Sequence, residues 1–295
     1  MKAVILDAHA ENPGDLSWGE LETICNLTIY PQTEASLIAE RIGDAEIVIT
    51  NKTPIREATM DKCPNIKFIS VLATGFDVID INAAKKRNIY VSNVPTYGTD
   101  TVSQYAVALL LEICHNIGKH SQSVHDGRWT SAEDWCFWDY PLIELSGKTA
   151  GIIGFGRTGQ STGKILQSLK MNILANDPFV KKEDHPNIKF CSINEIYKKS
   201  DVIILHCPST SENQKMINKQ ALKMMKKNAI IINNSRGSLI DEKALSNALN
   251  KGIISAAAVD VVSSEPISED NPLLSAKNCI ITPHISWATK CRTTY

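Results

Sequence analysis

The sequence has no basic block, no apolar run of membrane-spanning length and no cysteine pair at C-x-x-C spacing. Each absence removes a class of function. Lysine and arginine total 31 against 32 acids, so nothing electrostatic draws the chain to nucleic acid or to an anionic membrane. A helix crosses a bilayer only with about 20 consecutive apolar residues, and none are found together here. The eight cysteines, at 25, 63, 114, 136, 191, 207, 279 and 291, sit mostly alone, several inside apolar runs. They read as buried free thiols of a reducing cytosol, not as disulfides or a metal site. The opening Met1-Lys2-Ala3-Val4-Ile5-Leu6-Asp7 meets an acid too early for a signal peptide and reads as a first strand.

The 295 residues exceed the needs of one small domain, and 43% hydrophobic content suffices for two cores. Short β-branched runs at Lys2–Leu6, Leu27–Tyr30, Glu46–Thr50, Ile66–Leu72 and Ile89–Ser92 alternate with helical patterns at Leu16–Cys25, Glu34–Ile42 and Ile81–Arg87. Such alternation predicts a parallel sheet covered by helices on both faces. Val94-Pro95-Thr96-Tyr97-Gly98 marks a crossing to a second domain, which opens on a helix capped by Thr99 or Asp100 and running to about Ile117. The predicted division is a first domain at 1–98 and a second at 99–288. In the second, strands are expected at Asp201–His206, Ala229–Asn233, Ser255–Val259 and Cys279–Thr282. Asn218 is expected to cap a helix through Lys226, and Asp241 one through Asn250 with Gly252 just beyond.

The second domain is organised around Gly151-Ile152-Ile153-Gly154-Phe155-Gly156-Arg157-Thr158-Gly159, followed by a strand at Asn172–Asn176 and by Asp177. An apolar strand runs into glycines spaced for a tight turn, for close approach to a pyrophosphate and for helix packing. The helix that leaves the turn presents free amides and a partial positive charge to phosphates. Asp177 suits a ribose 2′-hydroxyl and repels a 2′-phosphate, which favours NAD(H) over NADP(H). In the first domain no glycine turn follows Lys2–Leu6. Ala73-Thr74-Gly75 follows a strand instead, where backbone amides can hold a small anion.

Three ionisable residues stand just past strand ends: Arg236 after Ala229–Asn233, Glu265 after Ser255–Val259, and His284 after Cys279–Thr282. Together they suit reduction of an oxo acid. An arginine fork clamps carboxylate and carbonyl, a histidine moves the proton, and a glutamate holds the imidazole. Residues 128–140 carry three of the five tryptophans without helical or strand periodicity, and read as a subunit-interface arm.

Over essentially its whole length the sequence resembles the D-isomer-specific 2-hydroxyacid dehydrogenase family. The resemblance rests on Gly154–Gly159 with Asp177, His206-Cys207-Pro208, Asn233-Asn234-Ser235-Arg236-Gly237, Asp260 through Glu265-Pro266, and Thr282-Pro283-His284. Asn93–Asp100 and Trp135–Tyr140 are most similar to the glycerate dehydrogenases, also called hydroxypyruvate reductases. The resemblance implies two Rossmann-like or flavodoxin-like α/β domains with the active site in the cleft between them. It implies NAD bound by Gly154, Phe155, Gly156, Arg157, Thr158, Gly159, Asp177, His206, Cys207, Pro208, Ser235, Asp260 and His284. It makes Arg236, Glu265 and His284 catalytic and gives the substrate to Ala73, Thr74, Gly75 and Arg236. It implies a homodimer joined through the NAD-binding domain; no metal is expected. Hydroxypyruvate reduction to D-glycerate is the expected reaction, with glyoxylate or pyruvate as rival substrates. An NAD(H)-sensing corepressor-like scaffold is the rival from another class. Relatives usually continue past the histidine into a helix that returns to the first domain. Here 289–295 is expected to be a truncated return segment.

Overall fold

The computed structural model describes residues 1–9, 12 and 17–289, which form two compact units meeting in sequence at Gly98 and Thr99. The expected return segment lies, apart from Thr289, outside the described residues.

In the first unit, strands β1 (Lys2–Ile5), β2 (Asn26–Ile29), β3 (Ile47–Thr50), β4 (Phe68–Val71) and β5 (Tyr90–Asn93) pair in parallel in the order β2-β1-β3-β4-β5. This is a flavodoxin-like order. Successive strand residues face opposite ways, so Val4 and Leu6 enter one core with Val48, Ile69 and Val71, while Ile5 and Ile49 enter another. The connections are the helices α1 (Gly19–Ile24), α2 (Ile38–Ile42), α3 (Glu57–Lys62) and α4 (Ile81–Lys86). The helix expected from Leu16 is described only from Gly19, and the one expected from Glu34 opens as a 3₁₀ turn at Ala35–Leu37. Helix α3 escaped the sequence pattern because it buries a single side chain, Met60.

The second unit begins with α5 (Thr99–His115), which is broken from α6 (Ile117–His125) by Asn116 in the left-handed region at φ 48°. The expected single helix to Ile117 therefore stops early, at a residue type that tolerates this conformation. Its strands are β6 (Thr149–Ile153), β7 (Asn172–Asn176), β8 (Lys189–Phe190), β9 (Val202–Leu205), β10 (Ile230–Asn233), β11 (Ala256–Val259) and β12 (Cys279–Ile281). All pair in parallel, in the order β12-β11-β10-β9-β6-β7-β8. The chain winds outward in both directions from β6, leaving a crevice beyond the carboxyl ends of β6 and β9 where α/β sheets bind ligands. Ile153, Ile203, Leu205 and Ile231 fill one face, and Ile152, Ile204, Ile232 and Ala258 the other. The covering helices are α7 (Arg157–Ser168), α8 (Ile193–Lys199), α9 (Lys219–Met224) and α10 (Glu242–Asn250). Asn218 and Asp241 cap α9 and α10 as expected, each side chain accepting from the amide three residues on. Helix α9 ends two residues before Lys226.

The seven described cysteines are free, and among them only Cys63 and Cys114 are fully buried; the other five are half-covered, a correction to the expectation of buried thiols. Among the described residues no helix is long and apolar enough to cross a membrane, and no cluster of histidine, cysteine and acids could hold a metal.

Candidate active site

Strand β6 delivers the chain to Gly154, whose φ of +91° is open to glycine and strained for other residues. A Cβ there would lie 2.4 Å from the Cys207 nitrogen, so the turn presses on the backbone beyond β9. At Gly159 a Cβ would meet the Gly154 oxygen at 2.2 Å, which is why α7 can start this close to the turn. Gly156 differs: it precedes the first turn of α7, no side chain caps that helix, and a Cβ would meet nothing within 4 Å. Open space in front of uncapped helix amides is a fitting cradle for a pyrophosphate. Arg157 and Thr158 form the first turn of α7. The Phe155 side chain is buried beneath the turn, edge-on to Phe190 and His185, so it does not enter the open space.

Asp177 follows β7. Its Oδ2 accepts from the Phe155 amide at 2.7 Å and its Oδ1 from the Phe179 amide at 2.9 Å. The carboxylate is thereby fixed against the turn, and lone pairs remain on both oxygens for ribose hydroxyls. These residues fit an NAD molecule.

His206, Cys207 and Pro208 lie at the end of β9. His206 Nε2 is 2.8 Å from the Thr162 hydroxyl of α7. Burial pushes its imidazole down to about 4, and pushes the Cys207 thiol up to about 11, so neither carries charge at neutral pH. The histidine has a consequence for stability. The unfolded imidazole titrates near 6.5 and the folded one near 4, so between these values the unfolded chain binds more protons. Stability should therefore fall as pH drops from 6.5 towards 4, by up to about 3 kcal/mol from this group, with no contribution above 6.5. Urea midpoints measured across that range check it. His206→Gln should flatten the slope, and an unaltered slope refutes the assignment.

The loop beyond β10 is folded by its own asparagine. Asn233 Oδ1 accepts from the Ser235 amide at 3.2 Å, and its Nδ2 donates to the Arg236 carbonyl at 2.9 Å. The Ser235 hydroxyl donates to the Cys207 carbonyl at 2.6 Å, tying this loop to the one after β9. Gly237 sits so close to the next loop that a Cβ would be 2.0 Å from the Val262 carbonyl carbon. Arg236 is half-buried, with Nη1 donating to the Ser235 carbonyl at 2.8 Å.

The segment after β11 leads from Val262 to Glu265, whose Oε1 accepts from the Val262 amide at 3.2 Å. Its Oε2 lies 2.7 Å from His284 Nδ1. This pair, expected from sequence, is formed across the loops of neighbouring strands β11 and β12. With Nδ1 engaged, Nε2 is the ring atom left to exchange a proton with a substrate. His284 adopts the left-handed region at φ 56°, uncommon outside glycine and asparagine. The loop holding it there is well anchored. The Trp287 indole donates to the His284 carbonyl at 2.7 Å. Asp260, 1% exposed, accepts from the Thr282 hydroxyl at 2.6 Å, the Ile285 amide at 3.0 Å and the Ser286 amide at 2.8 Å. Its carboxylate thus brackets His284 in sequence, and these bonds give it a holding role that the cofactor assignment did not include. Asp260's bonds had no signal in the sequence, since partners on another loop leave no local pattern.

On the first unit, the loop after β4 is stapled to the end of β5. The Thr74 hydroxyl donates to the Val94 carbonyl at 2.8 Å, Asn93 Nδ2 to the Thr74 carbonyl at 2.8 Å, and the Val94 amide to the Ala73 carbonyl at 3.1 Å. The amides of Thr74 and Gly75 have no hydrogen-bond partner among the described residues.

A sheet of Rossmann order with a dinucleotide cradle, and a glutamate–histidine pair on the same edge, define a nicotinamide-nucleotide dehydrogenase. Residues 107–286 match the family described as D-isomer specific 2-hydroxyacid dehydrogenase, NAD binding domain. Hydroxypyruvate reductase of Blautia hydrogenotrophica is 55% identical over 98% of this chain and 91% of its own. Glycerate dehydrogenase of Methylorubrum extorquens is 41% identical over 86% of this chain and 79% of its own. A crystal structure of D-lactate dehydrogenase from Aquifex aeolicus, complexed with NAD and lactic acid, superposes with a TM-score of 0.87 at 26% identity, over 99% of this chain and 90% of that one. The chain belongs to the D-isomer-specific 2-hydroxyacid dehydrogenase family. It is an oxidoreductase, and the residues that match the NAD-binding domain all lie in the second unit.

Proposed function

We propose that this enzyme uses NADH to reduce hydroxypyruvate to D-glycerate. The observation that carries the reading is the 2.7 Å Glu265–His284 pair, formed on the edge of the sheet that also bears Arg236 and the glycine cradle. The identity to a hydroxypyruvate reductase supports the choice of substrate. Bound NADH supplies the hydride that adds to C2 of the oxo acid. Arg236 clamps the substrate carboxylate and stabilises the C2 oxygen as negative charge develops on it. His284 Nε2 donates the proton to that oxygen, and Glu265 holds the resulting geometry through Nδ1. In the oxidative direction the imidazole takes the same proton back. Residues 1–98 are assigned to substrate binding, where the amides of Thr74 and Gly75, unpartnered among the described residues, suit a carboxylate together with Ala73. The cofactor contacts are assigned to Gly154–Gly159, Asp177, the backbone at His206–Pro208, Ser235 and the His284 loop.

Loss of NADH absorbance with hydroxypyruvate, glyoxylate and pyruvate side by side tests this. Fastest turnover is expected with hydroxypyruvate; faster reduction of either rival would reassign the substrate, and no turnover on any of them would sink the reading.

We further infer a homodimer through the arm at 128–140. Trp135 is 81% exposed and Trp138 69%, with Trp129, Tyr140 and Leu142 also open. The arm is nonetheless shaped, by Trp129 Nε1 donating to the Trp135 carbonyl at 2.9 Å and by an Arg128–Asp139 ion pair. An ordered aromatic surface of this kind fits a second copy of the chain. Trp135→Ser with Trp138→Ser should halve the mass measured by light scattering; a mass unchanged from wild type would take the arm out of the interface. The free thiols accord with a cytosolic location.

A further inference from the structure

We propose that Asn234 is a positioning residue that keys the loop carrying Arg236 to the loop carrying His284. The inference rests on the reading above, in which those two side chains act on one substrate. Asn234 is 7% exposed, and its Nδ2 donates to the Val102 carbonyl of α5 at 2.9 Å and to the Ser286 hydroxyl at 3.3 Å. Ser286 is itself buried, and its amide is held by Asp260 Oδ2. One amide group therefore joins three elements: the start of α5, the turn that ends in Arg236, and the segment beginning at His284. Both lever arms are two residues long.

The neighbouring asparagine performs a different task. Asn233 uses both ends of its side chain within its own turn, on Ser235 and Arg236. Asn233 shapes the turn, and Asn234 docks it. A packing role does not account for an amide at this place. Asn234 Oδ1 is buried with no hydrogen-bond partner among the described residues, an arrangement that destabilises the fold and that a leucine of similar size would avoid. What the amide supplies over leucine is its two directed donors. The Glu265–His284 bond does not pass through this contact, so losing the key should leave that pair intact. What changes is the placement of His284 relative to Arg236, and both touch the same substrate.

The test uses Asn234→Leu, Ser286→Ala and the double variant in the full chain. Two quantities are read: kcat/KM for hydroxypyruvate, and the affinity of the enzyme–NADH complex for tartronate, an unreactive dicarboxylate, from NADH fluorescence. Asn234→Leu should fold at least as stably as wild type and bind NADH within about twofold of it. It should lose roughly 10- to 100-fold in kcat/KM and weaken tartronate binding, because small displacements of positioned groups carry penalties of that order. Ser286→Ala should show a smaller loss of the same kind. The double variant should be no worse than Asn234→Leu, since both remove one contact. Either of two results overturns the proposal: wild-type kcat/KM and tartronate affinity in a folded Asn234→Leu, or additive losses in the double variant. If Asn234→Leu fails to fold, Ser286→Ala decides alone, and wild-type behaviour in it is fatal. Failure of the functional reading is separate: the wild-type chain would then neither reduce hydroxypyruvate nor bind tartronate.

Discussion

Replacing His284 should lower kcat about 10²- to 10⁴-fold, the range ascribed to a positioned general acid, with NADH affinity little altered. Asparagine is the replacement to make. The residue sits at φ 56°, where asparagine is more comfortable than alanine, so His284→Asn removes the proton donor with least disturbance to the backbone. Turnover against pH is the discriminating measurement. In wild type the rate should depend on the protonation state of the His284–Glu265 pair, and in His284→Asn that dependence should vanish with most of the activity. A variant that keeps the wild-type pH profile would exclude His284 as the proton donor. Glu265→Gln should fall between the two, because an amide can still accept from Nδ1 at 2.7 Å but carries no charge to stabilise the imidazolium.

The second large effect is expected at Arg236. Removing a donor aimed at developing oxyanion charge typically reduces turnover by about 10²- to 10³-fold, and the lost carboxylate clamp raises KM as well. Arg236→Ala should show both losses while leaving the dissociation constant for NADH near wild type. Arg236→Lys should recover only part of the loss, since an ammonium keeps the charge but cannot present two parallel donors. Equal weakening of NADH and oxo-acid binding in Arg236→Ala would instead assign the arginine to the cofactor. The turn itself should survive the substitution, because the bond from Asn233 to the Arg236 backbone carbonyl and the close packing of Gly237 on the Val262 loop do not need the guanidinium.

Much of this architecture is legible in local pattern. Runs such as Val202–Leu205 and Ile230–Asn233 are continuous and β-branched because a central parallel strand is covered on both faces, and they read as strands without reference to anything distant. The caps at Asn218 and Asp241 act within one turn, so their signal lies within three residues. The elements that escaped bury few side chains: the two-residue strand β8, α3 with Met60 alone buried, α6 with none, and α8 with only Ile196 and Tyr197. Strand ends drifted by a residue or two for a related reason, since the flanking loop residues, Ile66 and Leu72 among them, are as apolar as the strand they adjoin.

By itself the sequence determined the two parallel-sheet units, the glycine turn with its acid, and the residue types waiting at the strand ends. These depend on period, on spacing and on the conformations open to glycine, all properties of contiguous chain. Apart from the Glu265–His284 pair, the tertiary structure alone decided which loops hold which. Asp260 reaches Thr282, Ile285 and Ser286, Trp287 turns back on His284, and Asn234 bridges Val102 to Ser286. All but the Trp287–His284 bond, which spans three residues, join residues far apart in sequence whose neighbours carry no trace of the partner. They exist because parallel pairing brings the carboxyl ends of β10, β11 and β12 side by side, and only a folded sheet does that.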